Sequence, residues 1–117
     1  MQVSKETEEK IGQLQLMEQN IQNILMQKQA FQTQLFEIEN ALKELEKTKE
    51  ETYKIVGPIM VAANKKELKD DLQAKKEVVE LRIKNLEKQE KKIKEEAAQI
   101  QGEVMKKLKQ KGGVAND

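Results

Sequence analysis

Histidine, cysteine and tryptophan are missing from this chain of 117 residues, and proline occurs once. Without histidine the chain lacks the usual general base, the side chain that titrates near neutrality and the commonest metal ligand. Without cysteine it has no disulfide framework, no thiolate zinc site and no thiol nucleophile. Ser4 is the sole serine, and no glycine-rich phosphate loop occurs. The acidic pairs Glu8-Glu9, Glu50-Glu51, Asp70-Asp71 and Glu95-Glu96 have no calcium-loop spacing and read as solvated helix faces. The expectation is a protein that is not an enzyme and has no cofactor or metal. No apolar run approaches the roughly 18 residues that span a bilayer, and Met1-Gln2-Val3-Ser4-Lys5-Glu6 does not read as a signal peptide. A cytoplasmic location is expected. Aromatic residues are only 3% of the chain, too few to fill a globular centre of this size.

What remains is a chain of Lys, Glu, Gln, Leu and Ile. Charged and apolar residues each make up 37%, a balance that suits long helices with a narrow apolar seam. Residues 1–56 hold 7 Lys against 10 acids, and residues 57–117 hold 15 Lys/Arg against 11 acids. Opposite signs favour the two halves lying side by side, and neither half is basic enough for a nucleic-acid surface.

Heptad spacing carries the fold. In the first half Leu14, Ile21, Lys28, Leu35 and Leu42 occupy a positions, and Met17, Ile24, Phe31, Ile38 and Leu45 occupy d positions. Only Lys28 is polar. In the second half Leu72, Val79, Leu86, Ile93 and Ile100 stand at d, with Lys76, Ile83, Glu90, Ala97 and Val104 at a. A strict seven-residue period sustained this long predicts a coiled coil.

Between the two arms lies Tyr53-Lys54-Ile55-Val56-Gly57-Pro58-Ile59-Met60-Val61-Ala62-Ala63. Pro58 inside a helix loses a hydrogen bond and clashes with the preceding turn, and Gly57 can supply an unusual backbone angle. The residues read as two short strands, about 52–56 and 59–63, with a single kinked helix as the alternative. Ser4 and Asn64 are helix caps, with Glu67 placed for a capping box. Lys106, Lys107 and Lys109 suit a helix C-terminus before Gly112-Gly113. The expected boundaries are a first helix over 4–50, a β-hairpin over 52–63, a second helix over 64–111 and a flexible tail over 112–117. The expected fold is mainly α: an antiparallel two-helix coiled-coil hairpin whose central β-hairpin assembles with other subunits.

Folding about residue 58 brings Lys28 near Glu90, which predicts a charged pair that sets register at some cost in stability. The alternative is that both side chains reach solvent independently. Further out the seam turns polar, at Thr7, Lys10, Lys107 and Lys111. Lys10 facing Lys107 predicts a frayed end. Apolar residues persist there outside the seam, at Ile11, Leu16, Met105 and Leu108, beside Leu14, Met17 and Val104. These seven read as a flexible, low-specificity apolar grip; contact with a neighbouring subunit or fold-back of Val114 is the other reading. At the centre a lone hairpin is marginal and leaves two edges unpaired. Pairing with other chains through these strands is expected.

Taken together, the Gln-rich first arm, the Gly-Pro strand pair Tyr53–Val61 and the second-arm residues resemble the β-class subunits of prefoldin, particularly the archaeal type. Those second-arm residues are Glu67-Leu68-Lys69-Asp70-Asp71-Leu72-Gln73, Leu81-Arg82 and Gln89-Glu90. The resemblance implies a hexamer of two α and four β subunits, with the hairpins (Tyr53, Ile55, Val56, Gly57, Pro58, Ile59, Met60, Val61) forming β-barrels. It implies capture of unfolded polypeptides at the coil tips without ATP, and delivery to a group II chaperonin. The family's client-binding region falls on Ile11, Leu14, Leu16, Met17, Val104, Met105 and Leu108. Partners on this reading are α and β prefoldin subunits, unfolded chains and a chaperonin, with no nucleic acid and no membrane. The competing reading is a structural coiled-coil adaptor that holds specific protein partners.

Overall fold

The computed structural model describes residues 4–116, with side chains described through residue 109. Helix α1 spans Lys5–Lys47, strands β1 and β2 span Thr52–Val56 and Ile59–Ala63, and helix α2 spans Lys65–Asn116. The protein is two long helices joined by an antiparallel two-stranded hairpin. It divides into a terminal unit, residues 1–27 with 86–117, and a central unit, residues 28–85.

Capping starts both helices where the sequence places them. The Thr7 backbone N–H donates to Ser4 Oγ at 3.1 Å, and the Glu67 N–H donates to Asn64 Oδ1 at 3.0 Å. The end of α1 is closed by a side chain from the start of α2. Lys65 Nζ donates to the carbonyls of Glu46 at 3.4 Å and Thr48 at 3.1 Å, taking up oxygens that a helix end leaves unpaired.

The hairpin register pairs Thr52 with Ala63 and Val56 with Ile59, leaving a two-residue turn at Gly57-Pro58. Gly57 has φ of 58° and is the only positive-φ residue among those described. A two-residue turn with this angle at its first position matches the right-handed twist of the strands. Any other L-residue there would meet a penalty of roughly 1–2 kcal/mol.

Within the central unit, α1 and α2 run antiparallel. Glu46 pairs with Lys69 at 4.0 Å and Glu39 with Lys76 at 3.9 Å, so one number falls as the other rises. Within the terminal unit, Glu6 meets Lys107 and Lys10 meets Glu103, each at 3.0 Å, in the same sense. Burial follows the heptads in both. Ile24, Leu86 and Val104 are buried in the terminal unit; Leu45, Val79 and Ile83 are buried in the central unit. Every remaining a or d residue from Leu14 to Leu42 and from Leu72 to Ile100 is at least half-buried.

Two boundaries differ from the sequence expectation. Helix α1 ends at Lys47 rather than near residue 50, and α2 continues through Gly112-Gly113 to Asn116. Glycine lowers helix propensity without forbidding the conformation, so the pair does not impose a stop. Lys106, Lys107 and Lys109 therefore lie inside α2 rather than in its last turn. The side chains of Lys111 and Val114, and Asp117, lie outside the described residues.

Candidate interaction surfaces

Apolar side chains in contact with water concentrate on the hairpin. Tyr53, Ile55, Val56, Ile59, Met60 and Val61 are all exposed, Ile55 to 73% and Met60 to 67%. Cross-strand partners share a face, so Ile55 with Met60, and Tyr53 with Ala62, form one side. Val56 with Ile59, and Lys54 with Val61, form the other. Neither face is covered, and the sheet holds two strands only. At the base of the hairpin Thr52 Oγ1 donates to the Ala63 carbonyl of the other strand at 2.7 Å, and Lys54 ties β1 to α2 through Asp71 at 3.4 Å. Beside β1 an open groove of about 570 Å³ runs along the central unit, lined by Leu45, Leu68, Leu72, Tyr53 and Ile55 among others. This is apolar surface continuous from strand to helix.

The second concentration lies in the terminal unit. Leu16 is 59% exposed and Met105 61% exposed. Both stand outside the seam, where a two-helix coil has nothing to place over them. Ile11, Leu14, Met17 and Leu108 are half-buried, and Val104 is buried. The seven residues singled out from the sequence thus have different availability. Leu16 and Met105 face water directly, four are partly covered, and Val104 forms part of the seam.

The lysine-against-lysine opposition behind the expected fraying is not what the structure shows. Lys10 Nζ lies 3.0 Å from Glu103 and 3.6 Å from Glu6, while Lys107 Nζ lies 3.0 Å from the other oxygen of Glu6. Each lysine meets an acid of the opposite helix instead of the other lysine. Beneath them Thr7 is only 2% exposed, and its hydroxyl shares a 2.8 Å hydrogen bond with that of Ser4. A hydrogen bond from Lys107, with the charges of Lys107 and Lys10, holds the Glu6 carboxyl below its ordinary range. The hydrogen bond to Glu103 raises Lys10 despite some desolvation. The Glu6 contribution is therefore present above the ordinary carboxylate pKa and is lost as pH falls through the lowered one. That of Lys10 is present below the ordinary lysine pKa and is lost as pH rises through the raised one. Both charges persist through neutral pH. The signal was in the sequence: Glu6-x-x-x-Lys10 and Glu103-x-x-x-Lys107 are the same four-residue spacing, and antiparallel packing crosses them.

Lys28 belongs to the central unit and Glu90 to the terminal one, and both are half-buried. Glu90 accepts a hydrogen bond from Lys94 at 3.2 Å, one turn along α2. Arg82, which entered the sequence reading only through the family resemblance, stacks its guanidinium 5.6 Å above the Phe31 ring. Met26, Phe36, Val78 and Leu81 are exposed apolar residues outside the two concentrations. Among the described residues there is no cluster of acidic side chains able to hold a metal, and no helix is long and apolar enough to cross a membrane.

Comparison with known proteins identifies the family. The family profile described as "Prefoldin subunit" matches residues 8–111. The prefoldin subunit beta of Archaeoglobus fulgidus is 37% identical over 105 residues, covering 88% of this chain and 90% of that protein. The prefoldin subunit beta of Thermococcus onnurineus is 36% identical with the same coverage. The crystal structure of the prefoldin beta subunit from Thermococcus strain KS-1 superposes with a TM-score of 0.87 at 31% identity, covering 92% of this chain and 96% of that one. With its seam, its Gly-Pro hairpin and these relatives in agreement, the chain belongs to the prefoldin family of chaperone subunits.

Proposed function

We propose that this protein is a β-class subunit of a hetero-oligomeric holding chaperone, joined to other subunits through its hairpin. It captures non-native polypeptides with the apolar residues of its terminal unit, without ATP, and passes them to a group II chaperonin in the cytoplasm. The observation that carries this reading is the pairing of two exposed apolar surfaces, each explained by a different partner. A two-stranded hairpin open on both faces needs other strands. Leu16 and Met105, displayed outside a closed seam, suit weak contacts with many sequences, because Met adapts its shape to its neighbour. Several subunits acting on one client multiply such contacts into useful affinity. Two α and four β subunits is the stoichiometry the family resemblance suggests.

The test is co-expression with an α-class partner, native mass spectrometry of the product, and then suppression of aggregation of a denatured enzyme in the absence of ATP. A complex that forms but does not delay aggregation overturns the holding role and favours the adaptor reading. Leu16→Ser and Met105→Ser separate the two further. For a holding chaperone each change lowers protection partially and for several clients alike, and the pair lowers it more. For an adaptor one change abolishes one partner. Neither substitution is expected to move stability by more than about 0.5 kcal/mol, since both sites are exposed.

The register role proposed for Lys28 and Glu90 predicts that Lys28→Glu lowers the unfolding temperature and that adding Glu90→Lys recovers most of the loss. Thermal unfolding followed by circular dichroism measures both. No recovery in the double variant removes the pairing.

A further inference from the structure

We infer that the end of the terminal unit is a charge-held clasp, softened by two helical glycines, whose opening enlarges the apolar surface offered to clients. The inference deepens the holding role proposed above and rests on it. Where most of the seam closes through apolar side chains alone, this end adds Glu6, Lys10, Glu103 and Lys107 around the buried Thr7 and Val104. Their contacts cross between the helices twice, at 3.0 Å each, and once along α1 at 3.6 Å. All four side chains remain partly in water, Glu6 at 64% and Glu103 at 47%, so dissolved salt can reach and screen them.

The backbone next to this network is weakened on both helices. Gly12 lies two residues beyond Lys10, and Gly102 adjoins Glu103. A Cβ built on either glycine meets nothing within 4 Å, and neither has a positive φ. No close approach and no turn requires a glycine at either place. What glycine does in such a site is lower helix stability relative to alanine. Two helices weakened at one level, beyond which charged contacts flank a short remainder of apolar packing, form a segment that can open while the seam behind it stays shut.

Opening would uncover Val104, now 6% exposed, together with the half-buried Ile11 and Leu108. These add to Leu16 and Met105 and would widen the grip. Ionic strength and sequence at four charged positions thus set how much of the seam a client meets.

Hydrogen exchange by mass spectrometry on the assembled full-length chain, without client, tests the clasp. Lys107→Glu places like charge beside Glu6 and should speed amide exchange in residues 5–12 and 103–109 by about tenfold at low salt. In the wild type, 1 M sodium chloride should move those segments toward the same rates. Adding Gly12→Ala and Gly102→Ala to Lys107→Glu should slow them again, and the same pair should reduce protection of a denatured enzyme in the wild-type background. Unchanged exchange in Lys107→Glu overturns the clasp, as does faster exchange with no gain in protection. A wild-type complex that protects no client overturns the holding role instead, while the exchange measurement still decides whether the end opens.

Discussion

Substituting Asp for both Ile55 and Met60 is expected to release this chain from its assembly while leaving its helices intact. The two residues are cross-strand partners on one face of the hairpin, 73% and 67% exposed in the isolated chain. With the hairpin as the proposed assembly surface, burying each against other subunits stabilises the assembly by roughly 1.5–3 kcal/mol. Asp removes that gain, and any contact that re-formed would bury an unpaired carboxylate. The association constant should fall at least about a hundredfold, since every 1.4 kcal/mol is a factor of ten. Native mass spectrometry should find the subunit alone, and the helical circular dichroism signal should persist because both residues lie in the strands and neither occupies a seam position. A complex of unchanged mass would show that assembly uses another surface. Met60→Leu, which keeps volume and apolar character, should assemble normally and serves as the control.

The second large effect is on stability. Ile83→Ala removes a side chain that is 8% exposed at an a position of the central unit, and should destabilise the fold by about 2–5 kcal/mol. Leu81→Ala, two residues away, removes a side chain of the same size that is 58% exposed, and should change stability by no more than about 0.5 kcal/mol. The contrast follows from the helix period: residues two apart point to different faces, and only one of these faces is a seam. Urea unfolding of each variant gives the two values. Similar losses from both would mean that Leu81 is also covered in the assembled protein, and that the outer face of α2 is a subunit contact.

Much of this architecture could be read from residue order. The a and d residues from Leu14 to Leu45 and from Leu72 to Val104 are all buried or half-buried, because a sustained seven-residue period admits few other arrangements. Gly57-Pro58 likewise sets its turn at the predicted place, since proline excludes a helix interior and glycine alone adopts the required φ without penalty. These are local rules, decided within a few residues of chain.

Other features were decided only when helices met. Lys10 and Lys107 face each other in a count along the sequence, yet packing turns each toward an acid of the other helix, a choice set by side-chain reach. Which apolar residues beside the seam stay in water also depended on the second helix. Ile11 and Leu108 flank it closely enough to be half-covered, whereas Leu16 and Met105 point away. Helix α2 runs past Gly112-Gly113 because glycine's cost in a helix is smaller than a stop signal requires. Periodicity names the face a residue occupies, but the depth of its burial and the charge it meets belong to the partner helix, whose distance and rotation no single stretch of sequence contains.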